Sequence, residues 1–190
     1  DYDVGNVGSI KNMLKKAGYD SIITREENEI DEAAKLILPG VGSFDHGMAM
    51  LQQFGLIEIL NRQVLEKKKT ILGICLGMQL LFESSEEGDS PGLGWIKGKV
   101  KKFNFKENPE KLKIPHMGWN HVESVVDSPV FKGFEETPRF YFVHSYYVEC
   151  ESENDSLGRS NYGGEFTSAV SCANVLGTQF HPEKSHRFGL

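Results

Sequence analysis

Cys75 sits between two glycines in Thr70-Ile71-Leu72-Gly73-Ile74-Cys75-Leu76-Gly77-Met78-Gln79, with an apolar strand signal before it and an apolar helix signal after it. A thiol on such a strand-to-helix turn stands at the positive end of a helix, where a thiolate is favoured and its line of attack is open. A nucleophile on so sharp a turn takes a strained backbone and needs small neighbours, which Gly73 and Gly77 supply at −2 and +2. Far downstream, Gln179-Phe180-His181-Pro182-Glu183 offers an imidazole and a carboxylate two residues apart. Pro182 biases His181 toward extended backbone, and an extended segment would put both side chains on one side, as a base and its orienting acid. The order Cys75, His181, Glu183 points to nucleophilic cleavage of an amide.

Other segments could complete that chemistry. Pro39-Gly40-Val41-Gly42-Ser43-Phe44 follows a short apolar strand, at the edge of an open sheet where ligands bind. Its glycines would let backbone N–H groups turn toward an oxyanion, together with the N–H of Leu76, and one such donor is worth about 2.7–4 kcal/mol of barrier. No Gly-Lys-Ser/Thr follows it, so a phosphate loop does not fit. His116, His121 and His144 have no i, i+4 partner or carboxylate spacing, so no metal set is expected. The aromatic run Phe140, Tyr141, Phe142, Tyr146, Tyr147 reads as strand core, with part of it able to serve a docking surface.

The elements that must hold these groups alternate in the first half. Apolar positions 7, 10, 13, 14 and 17 predict a helix stopped by Gly18; residues 19–24 and 35–38 predict strands; 47–67 predicts a helix broken near Phe54-Gly55; 70–74 predicts a strand and 76–84 a helix. That progression implies a parallel sheet flanked by helices. The second half reads as short strands at 95–103, 119–126, 139–149, 156–162 and 166–180, with a hairpin turn at Gly163-Gly164 and a polar loop at 106–111. The expected architecture is α/β: a mostly parallel open sheet with flanking helices plus a smaller antiparallel region.

The 190 residues suffice for one domain with a substantial core, so 1–190 is read as a single domain that lacks a first strand and a last helix. A net charge of −6 argues against non-specific nucleic-acid binding. Three cysteines without CxxC spacing suggest neither a disulfide framework nor a zinc ribbon, and favour a reducing compartment, the cytoplasm. No apolar run approaches the roughly 18 residues of a membrane span.

The segments LGICLGMQLLFESSEEG, PGVGSF, PHMGWN, FYFVHSYYV and QFHPEKS together resemble the triad (class I) glutamine amidotransferases, and within them the glutaminase subunits of imidazole glycerol phosphate synthase. The resemblance implies a flavodoxin-like sheet, hydrolysis of glutamine to glutamate and ammonia, no cofactor and no metal. It also implies delivery of the ammonia to a (β/α)8-barrel cyclase subunit that makes imidazole glycerol phosphate. By motif it makes Cys75 the nucleophile, His181 the base and acid, and Glu183 its partner. Val41, Gly42 and Leu76 would hold the oxyanion and substrate, with Gln79, Glu87, Ser145 and Tyr146 around the glutamine. Pro115, Met117, Trp119, Asn120 and Tyr141 would face the barrel. The alternative is a paralogous glutaminase feeding a sugar amidotransferase of surface-polysaccharide synthesis. A cysteine peptidase of similar build would lack the combined Gln79 and His144–Tyr147 pocket, and a non-catalytic relative would have lost a member of the triad.

Overall fold

A computed structural model describes residues 1–105, 112–125 and 128–190. Helix α1 (Val7–Lys16) begins where the Asn6 side chain accepts the Ser9 N–H, and it ends with Lys15 and Lys16 against its negative pole. A short α2 (Glu27–Glu32) leads into strand β1 (Lys35–Gly40). Helices α3 (Phe44–Gln53) and α4 (Leu56–Asn61) are separated at Gly55, whose φ of +65° costs glycine nothing. A π-helical turn at 62–66 then precedes β2 (Thr70–Cys75) and the four-residue α5 (Leu76–Gln79).

The remaining elements are β-rich: β3 (Ser84–Ser85), β4 (Gly98–Lys102), β5 (His116–His121), β6 (Glu123–Ser124), β7 (Arg139–His144), β8 (Tyr146–Cys150), β9 (Ser156–Asn161), β10 (Glu165–Cys172) and β11 (Val175–Thr178). The main sheet runs β1-β2-β11-β10-β8-β4-β3, with β9 and β6 joined beside β10. Its site-bearing portion, β1-β2-β11, is parallel, with Gly40 opposite Cys75 and Thr178 opposite Ile74. Beyond β11 the pairings through β10, β8 and β9 are antiparallel, and β5-β7 forms a separate antiparallel pair. The α/β class and the division into a helix-flanked parallel portion and an antiparallel region are as expected.

Two large apolar clusters make up most of the core. One packs Phe44, Leu51, Val64, Ile71, Met78 and Phe82 between the parallel strands and helices α3 to α5. The other packs Phe103, Phe140, Phe142, Phe166 and Phe180 against the antiparallel strands. Each fully buried phenylalanine contributes about 1.5–3 kcal/mol, while Cys75 and Ile74 pack with Ile10 of α1 in a third, smaller cluster.

Several expected elements differ. Residues 19–24 form no strand among the described residues. Ile22 and Ile23 are exposed, for a β-rich sequence needs a neighbouring edge to pair with. The helix after Cys75 stops at Gln79 rather than at 84, tightening into i to i+3 bonds from Leu81 N–H to Met78 O and from Phe82 N–H to Gln79 O. The run 139–149 is interrupted at Ser145, where the chain leaves the β5-β7 pair and joins β4 and β10 of the main sheet. The run 166–180 turns at Ala173, which has φ +52°. The strands expected at 95–103 and 119–126 are shorter, at Gly98–Lys102 and His116–His121 with the separate Glu123–Ser124. The hairpin at 163–164 is present, closed by Tyr162 N–H to Gly164 O. The expected loop at 106–111 lies outside the described residues.

Candidate active site

Cys75 takes φ +55° and ψ −113°, a region that costs a side-chain-bearing residue of order 1–3 kcal/mol. The strain is held by packing that admits only glycine on either side. A Cβ on Gly73 would lie 2.7 Å from Gly77 O, and one on Gly77 would lie 1.9 Å from Leu38 O. The same squeeze fixes Gly40, where a Cβ would meet Gly77 N at 2.8 Å and the Tyr2 hydroxyl at 2.8 Å. Strand β1 is thus pressed against the first turn of α5, which brings the Pro39–Gly42 loop beside Cys75.

Imidazole and carboxylate arrive from the end of β11. His181 N–H donates to Tyr141 O at 2.9 Å, stitching this segment to β7. Pro182–Lys184 then turns in a single 3-10 turn instead of staying extended, because Lys184 and Ser185 N–H bond back to the carbonyls of His181 and Pro182. That turn still brings Glu183 Oε1 within 2.7 Å of His181 Nδ1, with both side chains 2% exposed. Burial pulls the His181 pKa down, but the hydrogen-bonding Cys75 thiol and then Glu183 outweigh it, so the imidazole is lifted to about 9. Since Nδ1 is taken by Glu183, Nε2 is the nitrogen left for Cys75, and this buried atom makes no hydrogen bond among the described residues. Cys75, His181 and Glu183 therefore come together.

The surrounding residues are distributed as follows. Val41 and Gly42 are exposed, and Gly42 has φ +99° with open space about its Cα. The Tyr2 hydroxyl donates to Pro39 O at 2.5 Å and pins the start of this loop; burial, then nearby Cys75, raises the phenol pKa. Leu76 is buried directly after the nucleophile. Gln79 Nε2 donates to Tyr146 O at 3.1 Å and to Gln179 Oε1 at 2.9 Å, so both of its amide hydrogens are engaged. Glu87 Oε2 accepts the Phe44 N–H at 2.8 Å, which caps α3, and burial raises the Glu87 pKa. Ser145 and Tyr146 form the corner between β7 and β8, half-buried.

Four of the five residues expected to face a partner share one surface. Pro115 is exposed, Met117 and Trp119 are 61% and 43% exposed, and Tyr141 is half-buried opposite Trp119 across the β5-β7 pair. The Trp119 ring stacks on His186 at 5.6 Å and lies near the Arg139 guanidinium. Asn120 instead points inward, donating to His116 Nε2 at 3.3 Å and to Asn161 O at 2.9 Å. Among the described residues no cluster of three or more His, Cys, Asp or Glu could hold a metal ion.

Residues 1–189 match the family described as glutamine amidotransferase class-I. The chain belongs to this family. It is a glutamine amidotransferase, an enzyme class whose chemistry suits a thiol, an imidazole and a carboxylate gathered at the carboxyl ends of parallel strands. The imidazole glycerol phosphate synthase subunit HisH 2 of Methanococcus maripaludis is 56% identical over 190 residues, covering 100% of this chain and 93% of that protein. The subunit HisH of Leptospira interrogans is 50% identical over 190 residues with the same coverage. A glutamine amidotransferase crystal structure shares the fold with a TM-score of 0.76 at 20% identity, covering 98% of this chain and 90% of that one. A glutamine amidotransferase from Thermotoga maritima does so with a TM-score of 0.63 at 19% identity, covering 98% and 74%.

One polar side chain at the thiol escaped the sequence reading. Gln179 is fully buried and its Nε2 lies 3.7 Å from Cys75 Sγ. The usable signal was period two: in an extended segment Gln179 and His181 share a face, while Phe180 points away to stack on Phe140 at 4.0 Å.

Proposed function

We propose that this glutamine amidotransferase is the glutaminase subunit of an imidazole glycerol phosphate synthase in histidine biosynthesis, with residues 1–190 acting as a single catalytic domain. The relatives that bear that subunit's name match the whole chain at about half identity, which supports this reading over a sugar-amidating paralogue. The observation that carries the chemistry is the buried His181–Glu183 pair beside the strained Cys75.

In this mechanism the Cys75 sulfur, its proton passed to His181, attacks the side-chain amide carbon of glutamine, forming a C–S bond. The resulting oxyanion is met by backbone N–H groups of the Val41–Gly42 loop and Leu76. His181, charged and steadied by Glu183, returns its proton to the leaving nitrogen; the C–N bond breaks and ammonia departs, leaving a γ-glutamyl thioester on Cys75. Water, giving a proton to His181, attacks the thioester; the C–S bond breaks, glutamate leaves and the sulfur regains its starting state. Gln79 through its carbonyl oxygen, Glu87, Ser145 and Tyr146 surround the substrate.

The partner is a (β/α)8-barrel cyclase, seated on Pro115, Met117, Trp119 and Tyr141, with Asn120 supporting that strand from behind. It consumes the ammonia and the pair works in the cytoplasm. No helix among the described residues is long and apolar enough to cross a membrane. The test is ammonia release from glutamine, measured with the chain alone and with the cyclase subunit added. Release should rise by orders of magnitude on addition. A flat response to the cyclase together with a rise on adding a sugar amidotransferase would overturn the assignment.

A further inference from the structure

The Gln179 amide is one end of a hydrogen-bond chain whose polarity is fixed by a single backbone carbonyl. Tyr146 O can only accept, and it accepts from Gln79 Nε2 at 3.1 Å. The Gln79 amide is thereby oriented, and its second N–H goes to Gln179 Oε1 at 2.9 Å. With its oxygen committed, Gln179 must turn its NH2 group to the other side, where Cys75 Sγ lies 3.7 Å from Nε2. On the Gln179 side the sulfur therefore faces a donor, while its own S–H points to Val143 O at 4.0 Å.

The same carbonyl is held from its other side. His144 Nδ1 is 2.7 Å from Tyr146 O, so Nδ1 carries the hydrogen and Nε2 accepts from His116 Nδ1 at 2.9 Å. His116 Nε2 in turn accepts from Asn120 Nδ2 at 3.3 Å. Burial lowers the pKa of His144 to about 3 and that of His116 to about 4, which keeps both rings neutral and their tautomers locked. Each link of this chain, from Asn120 to Cys75, joins a donor to an acceptor, and Gln79 and Gln179 are 5% and 0% exposed.

We infer that Gln179 is a positioning residue for the nucleophile: its side-chain N–H, aimed by Gln79 and Tyr146 O, holds the Cys75 sulfur on its strained turn and stabilises the charge the sulfur carries before attack and at thioester breakdown. The inference rests on the reading of Cys75 as nucleophile. Gln179 acts on the sulfur and not on glutamine, so its loss lowers turnover without weakening substrate binding.

The experiment follows alkylation of Cys75 by iodoacetamide in the full chain, resolved from Cys150 and Cys172 by peptide mass spectrometry, with glutaminase activity read in the same samples. In the parent chain activity should vanish in step with Cys75 labelling; failure there would remove the nucleophile reading itself. In Gln179→Glu, which keeps the shape but puts an acceptor against the sulfur, labelling at neutral pH should slow about tenfold or more. The value of kcat should fall by a similar factor, while KM for glutamine stays within about twofold. Gln79→Glu can no longer donate to Gln179 Oε1, so the Gln179 amide reverses and labelling should slow although residue 79 does not touch the sulfur. Parent-like labelling in both folded variants, or a raised KM with unchanged kcat, would overturn the inference. The unsubstituted chain gives a second measurement that needs no variant to fold. The Gln179 side-chain amide proton resonance should move when Cys75 is alkylated, and an invariant resonance would also overturn it.

Discussion

Gly77 lies so close beneath strand β1 that a methyl group on it would stand 1.9 Å from the carbonyl oxygen of Leu38. Neither partner can yield, since Leu38 is backbone of a paired strand and Gly77 opens the helix behind the nucleophile. Gly77→Ala should therefore cost at least about 3 kcal/mol of stability, measured by urea unfolding, and remove glutaminase activity. Gly42→Ala makes the contrast: it meets open space, and only its φ of +99° resists, for about 1 kcal/mol. Equal costs at the two positions would contradict the packing account of the turn.

His181 supplies the pH dependence of turnover. Its pKa, lifted to about 9, means the imidazolium needed to protonate the leaving ammonia is lost as pH rises through that value, giving an alkaline limb in kcat. Glu183 helps raise that pKa, so Glu183→Gln should move the limb to lower pH as well as lowering kcat. A limb that stays in place in the variant would show that the carboxylate does not govern the imidazole.

The buried pair His116 and His144 sets the acid limit of stability. Their folded pKa values, about 4 and about 3, lie below the ordinary 6.5. Folding thus gains stability that is fully present above 6.5 and is lost as pH falls toward 4, because the unfolded chain binds protons the folded chain refuses. His181 has the opposite sign: its contribution is full below 6.5 and is lost only as pH rises through about 9. Urea midpoints should accordingly drop between pH 7 and pH 5 with the midpoint shift reduced in His116→Phe, which keeps a ring between Phe142 and Tyr162. A pH-independent midpoint over that range would refute the assignment.

Trp119 tests the partner face. It is 43% exposed, and its ring meets Tyr141, His186 and Arg139. Trp119→Ala should weaken association with the cyclase subunit by about 2 kcal/mol in calorimetry while leaving Cys75 alkylation in the free subunit unchanged. Undiminished affinity would move the interface elsewhere.

The catalytic turn was legible because its signals are local. Glycines at −2 and +2 of a cysteine between a strand and a helix predict the strained backbone, and β1 packed onto α5 requires those glycines. The His181–Glu183 contact was also legible, though it forms through a 3-10 turn instead of an extended segment. What the sequence hid depends on pairing across the fold. Residues 19–24 have strand composition but no neighbour among the described residues, and the pattern at 139–149 does not reveal that the chain changes sheets at Ser145. Period two places Gln179 on the face of His181, but its role was hidden for the same reason: it follows from a carbonyl at Tyr146 that aims it through Gln79.

The central claim is that Cys75, backed by His181 and Glu183, opens the side-chain amide of glutamine through a covalent thioester. Acid quench of the chain turning over radiolabelled glutamine with its cyclase partner, followed by peptide mapping, tests it most directly. The account predicts a γ-glutamyl group on the peptide containing Cys75, and neither label nor ammonia release from a folded Cys75→Ala. Steady turnover in Cys75→Ala, or label carried by another residue, would contradict it.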